Sequence, residues 1–234
     1  MIRGQNRRPR TKCRANLVGI SHRIVPLAFL LMAGCATKTQ TGAVVGTAGG
    51  AVVCGVIGKV AGSTAKGAII GAVVGGATGA IIGSRMDKQA KELEQNIKGA
   101  TVERVGEGIQ VTFASGLLFD FDSDFVRPEA RINLRELALS LSRYPGSDLL
   151  IVGHTDQVGS AGYNLGLSER RANSAATYLM SQGVSGTRIA TRGLGETEPV
   201  GSNETEAGRQ ANRRVEVAIF ANREARAGSG QDSP

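Results

Sequence analysis

The chain has 234 residues and a formal net charge of +8, but seven of its basic residues lie before residue 35, where there is no acid. Residues 35–234 therefore carry 21 basic and 20 acidic side chains, and this balance argues against nucleic acid as a partner, which would require a concentrated basic face. Aromatic residues make up only 4% of the chain while 33 residues are Gly, so a single large core is not expected.

The first segment, residues 1–34, has the composition of a secretory signal. Its basic, polar beginning is followed by the apolar run IVPLAFLLM, which is too short to span a bilayer, and by two small residues. The stretch LMAGC, which ends at Cys35, resembles the bacterial lipoprotein box, in which the cysteine is acylated and becomes the mature N-terminus. Ala36, by the same resemblance, favours the outer membrane. An ordinary signal peptide with an incidental cysteine is the alternative.

Residues 35–41 are interpreted as the lipidated N-terminus and a linker, and residues 42–83 as a glycine-rich segment with 13 glycines, many of them four residues apart. Rows of small residues let two helices approach closely in lipid. The pattern predicts a helical hairpin with arms 42–62 and 67–83, and it resembles the glycine-zipper segments of envelope lipoproteins. Two membrane crossings would return the chain to the side on which Cys35 is anchored. The alternative is a flexible tether outside the bilayer.

Residues 84–107 are predicted to form a helical spacer. Met86, Ala90, Leu93 and Ile97 recur at helical spacing, which indicates one apolar face.

Residues 108–221 alternate between strand and helix patterns. Strands are predicted at 108–113, continuing through 117–119, and at 149–153, 188–192 and 215–220. Helices are predicted from about Pro128 to Arg143 and from an N-cap at Ser168 to Gly183. The economical architecture is an α+β fold in which a mixed sheet carries helices on one face. Residues 222–234 are predicted to be a disordered tail.

Polar residues after the buried strand 149–153 are candidates for a binding site. Asp156 follows this strand, Asn164 is expected in the next loop, and Arg170 and Arg171 are expected in the first helical turn. A cation in the first turn opposes the helix dipole, which suggests a specific task. A carboxylate and a guanidinium that meet in one pocket can bind a zwitterion. The alternative from spacing alone is a structural or solvated ion pair.

The ordered motifs TDQVG, YNLGLSERRA and NRRVE, spread over residues 108–221, resemble the OmpA-like peptidoglycan-binding domain. With the lipoprotein box and the glycine zipper, the whole chain is similar to outer membrane lipoproteins of the YiaD type. The resemblance implies that Asp156 and Arg171 bind the free amino acid centre of diaminopimelate in the peptide stem of the cell wall. It also implies contacts from further positions in the same motifs: Phe121, Asp122, Asn164, Leu165 and Arg214.

The resulting hypothesis is a non-enzymatic tether. Cys35 would hold one end in the outer membrane, and the C-terminal domain would bind peptidoglycan in the periplasm. The competing hypothesis is a homo-oligomeric membrane assembly formed through the zipper and positioned by wall binding. No cofactor is predicted. A calcium loop at DFDSD lacks its Gly and its closing Glu, and the pair His154 and Asp156 has no nucleophile beside it.

Overall fold

The computed structural model describes residues 63–73 and 79–228. The helices of this part of the chain are α1 (Thr64–Val73), α2 (Gly79–Asn96), α3 (Ser115–Leu118), α4 (Ala130–Arg143), α5 (Ala161–Ser181), α6 (Glu206–Asn212) and α7 (Arg223–Gly228). The strands are β1 (Ala100–Val105), β2 (Gly108–Ala114), β3 (Ser147–Gly153), β4 (Ile189–Gly193) and β5 (Arg214–Ala221).

The strands form one mixed sheet in the order β1-β2-β5-β3-β4. Neighbouring strands are antiparallel except for β3 and β4, which are parallel and joined by α5. A parallel pair needs a crossover connection, and α5 supplies it. The predicted α+β class with a mixed sheet is therefore confirmed.

The inner face of the sheet carries the main hydrophobic core. Alternate residues of β2, β3 and β5 point into this core, where α2, α4 and α5 cover them. Leu134, Leu137 and Leu141 of α4 are almost completely buried, at the spacing expected of one helical face. Complete burial of a side chain of this size contributes about 1.5–3 kcal/mol, so this face supplies most of the hydrophobic stabilisation.

The outer face of the sheet is covered by α1. The expected arrangement had helices on one face only, but β3 and β5 also bury the intervening residues Leu150, Val152, Ala218 and Phe220. Consecutive apolar residues in a strand indicate burial on both faces, so a second cover is required.

A buried polar cluster lies beside this second apolar cluster. Arg214 Nε donates a hydrogen bond to Glu216 Oε1 at 2.7 Å, and Ser63 Oγ donates to Glu216 Oε2 at 2.6 Å. Burial by itself raises the pKa of Glu216, but Arg214 and Ser63 outweigh it, so the net pKa lies below the usual range. Glu216 is therefore an ionised carboxylate inside the protein, stabilised by these two partners.

His154 is buried next to this pair, with Nε2 at 3.9 Å from Glu216 Oε2. Neither imidazole nitrogen has a hydrogen-bond partner among the described residues. Burial and the charge of Arg214 lower the pKa of His154 to about 4, although Glu216 acts in the opposite direction. The native state therefore contains neutral His154 at neutral pH.

Helix α5 is longer than the sequence pattern predicted. It begins at Ala161, and Ser160 is the N-cap, because its side chain accepts a hydrogen bond from Tyr163 N. Asn164 lies in the first turns of this helix and not in a loop, and Arg171 lies in its middle. The helix-dipole argument for the arginines at the helix start was therefore wrong.

Two glycines set the distance between α5 and the sheet. A Cβ on Gly153 would lie 2.2 Å from the carbonyl oxygen of Ser168, and a Cβ on Gly193 would lie 2.5 Å from the backbone nitrogen of Glu169. The helix backbone thus rests directly on the carboxyl ends of β3 and β4, and this contact places Arg171 above that edge of the sheet.

Three further segments differ from the sequence expectations. The predicted hairpin turn at Ser63–Lys66 is the start of α1, and the expected strand at 117–119 lies mostly in the short helix α3. The expected spacer contains β1, which pairs with β2. Part of the tail that was expected to be disordered forms α7, and Ala225 packs on the core.

The signal segment 1–34, Cys35 with its linker to residue 41, and the first hairpin arm 42–62 lie outside the described residues. Within the described ranges, none of the helices has the length and apolar character required to cross a bilayer.

Gly153→Ala is expected to lower the free energy of unfolding by about 1–3 kcal/mol, because the new methyl group meets the backbone of α5. Gly162→Ala, inside α5 with open space around the new Cβ, is the matched control and should be neutral or stabilising by up to about 1 kcal/mol. Urea denaturation of both variants tests this contact. Equal stability of the two variants would contradict it.

The buried neutral His154 predicts a pH dependence. Its pKa of about 4 lies below the ordinary value of 6.5, so the unfolded chain binds a proton first as the pH falls. The contribution of neutral His154 to the free energy of unfolding is fully present above pH 6.5. It decreases between pH 6.5 and 4, by at most about 1.4 kcal/mol per pH unit. His154→Gln should reduce this slope in denaturant titrations at several pH values. Parallel pH profiles for the two proteins would count against the assignment.

Candidate functional site

The carboxyl ends of three strands and the start of a fourth meet at one edge of the sheet. Gly153 of β3 is paired with Gly193 of β4 and with Val215 of β5, and Ala114 of β2 is paired with Arg214. The loops that follow β3 and β4, the segment after β2 and the residue before β5 therefore converge here. The predicted site residues Asp156, Asn164 and Arg171 all belong to elements that meet at this edge.

Asp156 is buried and its carboxylate is held on both sides. Its Oδ1 accepts a hydrogen bond from Val158 N at 3.0 Å, and its Oδ2 forms an ion pair with Arg213 Nη1 at 2.5 Å. Arg213 also donates through Nη2 to Glu206 Oε1 at 2.7 Å. The carboxylate is therefore fixed in position, and its charge is shared with a partly exposed guanidinium.

Asn164 ties the Asp156 loop to two neighbouring segments. Its Nδ2 donates to the carbonyl oxygen of Asp156 at 3.2 Å and to Glu196 Oε2 at 2.7 Å. Thr155 N donates to the carbonyl oxygen of Gly195 at 2.9 Å. The loop after β3 is thus bonded both to α5 and to the loop after β4, which makes the position of Asp156 well defined.

Arg171 is a buried cation held by backbone oxygens. Its Nε donates to the carbonyl oxygen of Ser123 at 2.9 Å, and its guanidinium carbon lies 5.4 Å from the centre of the Phe119 ring. Burial lowers the pKa of Arg171, while the nearby Asp122 and Asp124 act to raise it. A desolvated, oriented guanidinium of this kind is suited to bind a carboxylate.

The segment 119–127 forms the wall of the site on the Arg171 side. Asp122 adopts a positive φ of 56° and accepts a hydrogen bond from the hydroxyl of Tyr163 in α5. Phe121 is 98% exposed, and Phe125, Val158 and Leu165 are also exposed apolar residues. The two charged side chains thus lie among loops that present apolar groups to the solvent.

The structure divides the predicted site residues into two groups. In the first group, Asn164, Leu165 and Arg171 lie on α5. This helix is hydrogen-bonded to Asp156 through Asn164 and, through Tyr163, to Asp122, which follows Phe121. Asp156 and Arg171 bond to different partners and do not form an ion pair with each other in the described structure. Arg214 belongs elsewhere, because it is buried on the outer face with Glu216.

Arg213, the residue that does reach Asp156, was not among the predicted site residues. The alternation of side chains along a strand could have identified it. Val215 faces the inner core, so Arg213, two residues earlier, is expected on the same side and Arg214 on the outer side. The imidazole of His154 faces Glu216, while the carboxylate of Asp156 bonds Val158 and Arg213, so the suggested His154–Asp156 pair is not formed.

Two family models match this chain. The OmpA family model matches residues 118–213, and the model of the YMGG-like Gly-zipper matches residues 20–87. The chain is 36% identical over 140 residues to the probable lipoprotein YiaD of Escherichia coli, a match that covers 59% of this chain and 64% of YiaD. The chain thus spans just under two thirds of the length of that relative.

Two further proteins are similar to the C-terminal part. The outer-membrane lipoprotein YfiB of Pseudomonas aeruginosa is 39% identical over 113 residues, which cover 48% of this chain and 67% of YfiB. The structure of the cell wall anchor of the T6SS from Pseudomonas aeruginosa superposes with a TM-score of 0.51 at 34% identity, over 57% of this chain and 97% of that chain. These matches, together with the mixed five-stranded sheet, show that the chain belongs to the OmpA family.

Proposed function

We propose that the protein is an outer membrane lipoprotein that binds peptidoglycan non-covalently and tethers the membrane to the cell wall. The observation that carries this proposal is a pair of opposite charges, Asp156 and Arg171, each buried and each held rigidly at the same edge of the sheet. The similarity to a protein described as a cell wall anchor supports the proposed ligand.

The ligand we propose is the free amino acid centre of diaminopimelate, which carries one ammonium and one carboxylate. Arg171 would receive the carboxylate through its guanidinium, since its backbone partners leave further N–H groups for a ligand. Asp156 would receive the ammonium. Both side chains are already ordered in the free protein, so binding loses little side-chain entropy.

Arg213 supplies a countercharge for the buried Asp156 carboxylate when no ligand is bound. An unpaired buried carboxylate is strongly unfavourable, and the ion pair at 2.5 Å offsets part of this penalty. When an ammonium arrives, Arg213 keeps its second partner, Glu206, which is exposed and has a lowered pKa because Arg213 and Arg209 donate to it. We infer that the ligand shares the Asp156 carboxylate with Arg213.

The exposed apolar residues around the two charges would contact the uncharged parts of the peptide stem. Phe121 and Leu165 were expected at such contacts, and both are exposed beside the charged pair. These apolar side chains would add contact area, while the charges of Asp156 and Arg171 would select the zwitterionic group.

Asp156→Asn and Arg171→Gln are each expected to weaken binding to purified peptidoglycan by about 10- to 100-fold, because each removes a charge-assisted hydrogen bond that contributes about 1.5–3 kcal/mol. The measurement is co-sedimentation of the full-length protein in detergent, together with competition by free diaminopimelate. Arg170→Gln is the matched control, since Arg170 is half-exposed and pairs with Asp124. Wild-type retention of both site variants would refute the assigned site.

The proposed lipid anchor is Cys35. Cys35→Ser is expected to abolish labelling by radioactive palmitate, because the acyl chains are attached through this cysteine. The protein should also leave the membrane fraction if residues 42–62 do not insert in the bilayer, and its retention there would indicate that they do. Cys54→Ser is the matched control and should label like the wild type. Undiminished labelling of the Cys35→Ser protein would contradict the anchor.

Self-association through the glycine zipper is a second candidate activity. The match of the YMGG-like Gly-zipper model to residues 20–87 favours it. In this case the main product would be an oligomeric membrane assembly, and the binding of each subunit to the cell wall would serve to position it.

A further inference from the structure

The second arm of the predicted zipper hairpin is divided between the two faces of the sheet. Its first part lies in α1 on the outer face, where Ala68 and Ile69 are buried. Its last part begins α2, and Ile82 of that helix packs into the core of the inner face. A membrane arm would require residues 67–83 to form one continuous lipid-facing helix, and the observed chain path is incompatible with this.

Shape complementarity between α1 and the sheet is close. Ile69 is completely buried, whereas its neighbour Ile70 is 39% exposed. A Cβ on Gly108 of β2 would lie 2.4 Å from Ile69 Cγ2, so the absence of a side chain at Gly108 makes room for Ile69. The helix is therefore seated in a particular register on the sheet.

Polar contacts hold α1 at both ends and on one side. At its start, Thr64 donates through N and Oγ1 to the two carboxylate oxygens of Glu198 at 2.9 and 2.6 Å. At its end, Arg226 of α7 donates to the carbonyl oxygen of Ala72. Between them, Lys66 Nζ lies 3.3 Å from Glu103 Oε2 of β1. These partners lie on three separate segments of the domain.

Removal of residues 63–73 would leave the outer face without a cover. Leu150, Val152, Ala218 and Phe220 would become exposed together, and Glu216 would lose the hydrogen bond from Ser63. An exposed apolar sheet face promotes association with other chains, so a domain without this helix would be prone to aggregation.

We propose that residues 63–73 are a structural part of the wall-binding domain, and that they stay packed on the outer face of the sheet when the protein is attached to the membrane. The second half of the glycine zipper then serves the domain and not the bilayer. Contact with lipid or with the zipper of a second copy would then fall to zipper residues outside 63–73, above all those before Ser63.

The ion pair between Lys66 and Glu103 offers a direct test. A water-soluble carbodiimide activates a carboxylate, and attack by a neighbouring lysine amine forms an amide bond with net loss of one water. Both side chains are partly exposed, so the reagent can reach them. The full-length protein in isolated outer membranes should give the Lys66–Glu103 amide on peptide mass spectrometry. Lys66→Arg keeps the charge, should give no such product, and is the matched control.

A second measurement compares two neighbouring isoleucines. Ile69→Ser should lower the Tm of the full chain by several degrees, because it places a hydroxyl in the buried contact, whereas Ile70→Ser should change the Tm by much less. Formation of the amide in detergent but not in membranes would overturn the proposal, as would equal Tm values for the two serine variants. Peptidoglycan binding is measured separately, so either result leaves the proposed function untouched.

Discussion

Burial of β5 on both faces is the constraint on which the rest of the structure depends. All eight residues of this central strand are buried, so each face requires a cover and each polar side chain requires a partner. The helices α2, α4 and α5 cover one face and α1 covers the other. The ion pair of Arg214 with Glu216 satisfies the polar residues of the outer side, where a single unpaired charge would be strongly destabilising.

The same strand also organises the candidate site. Arg213 precedes β5 and stabilises Asp156, while Arg214 begins the strand and stabilises the opposite side of the sheet. Two adjacent arginines thus have unrelated tasks because successive side chains of an extended chain point in opposite directions. Arg213 pairs with Asp156 and Glu206, whereas Arg214 pairs with Glu216, so the two arginines share no acidic partner.

Much of the inner core could be predicted from the sequence, because apolar runs such as LLIVG indicate buried strands and the periodic leucines of α4 indicate a helix. The start of α5 could not, since Gly162 and Gly166 give that stretch the composition of a loop, and only the cap at Ser160 marks the helix start. Motif resemblance pointed to Asp156 and Arg171, and the structure places both at one edge of the sheet.

Other features depended on contacts between distant parts of the chain. The docking of α1 joins Ser63 to Glu216, which are 153 residues apart in sequence, and no local pattern contains that information. The composition of residues 63–73 is equally compatible with lipid. Arg214 is a different case: its motif assigned it to the site, although the partner that determines its location, Glu216, is only two residues away in the same strand.

The position of α1 has a mechanical consequence for a tether. In the proposed tether, tension that reached α1 from its N-terminal side would load the hydrogen bonds of Ser63 to Glu216 and of Thr64 to Glu198 before any strand of the sheet. Peeling residues 63–73 away would lengthen the link by up to about 35 Å while the loops around Asp156 remained folded. Single-molecule pulling would record this extension as the first unfolding event. The link between membrane and wall would then lengthen under load before the folded domain itself opened.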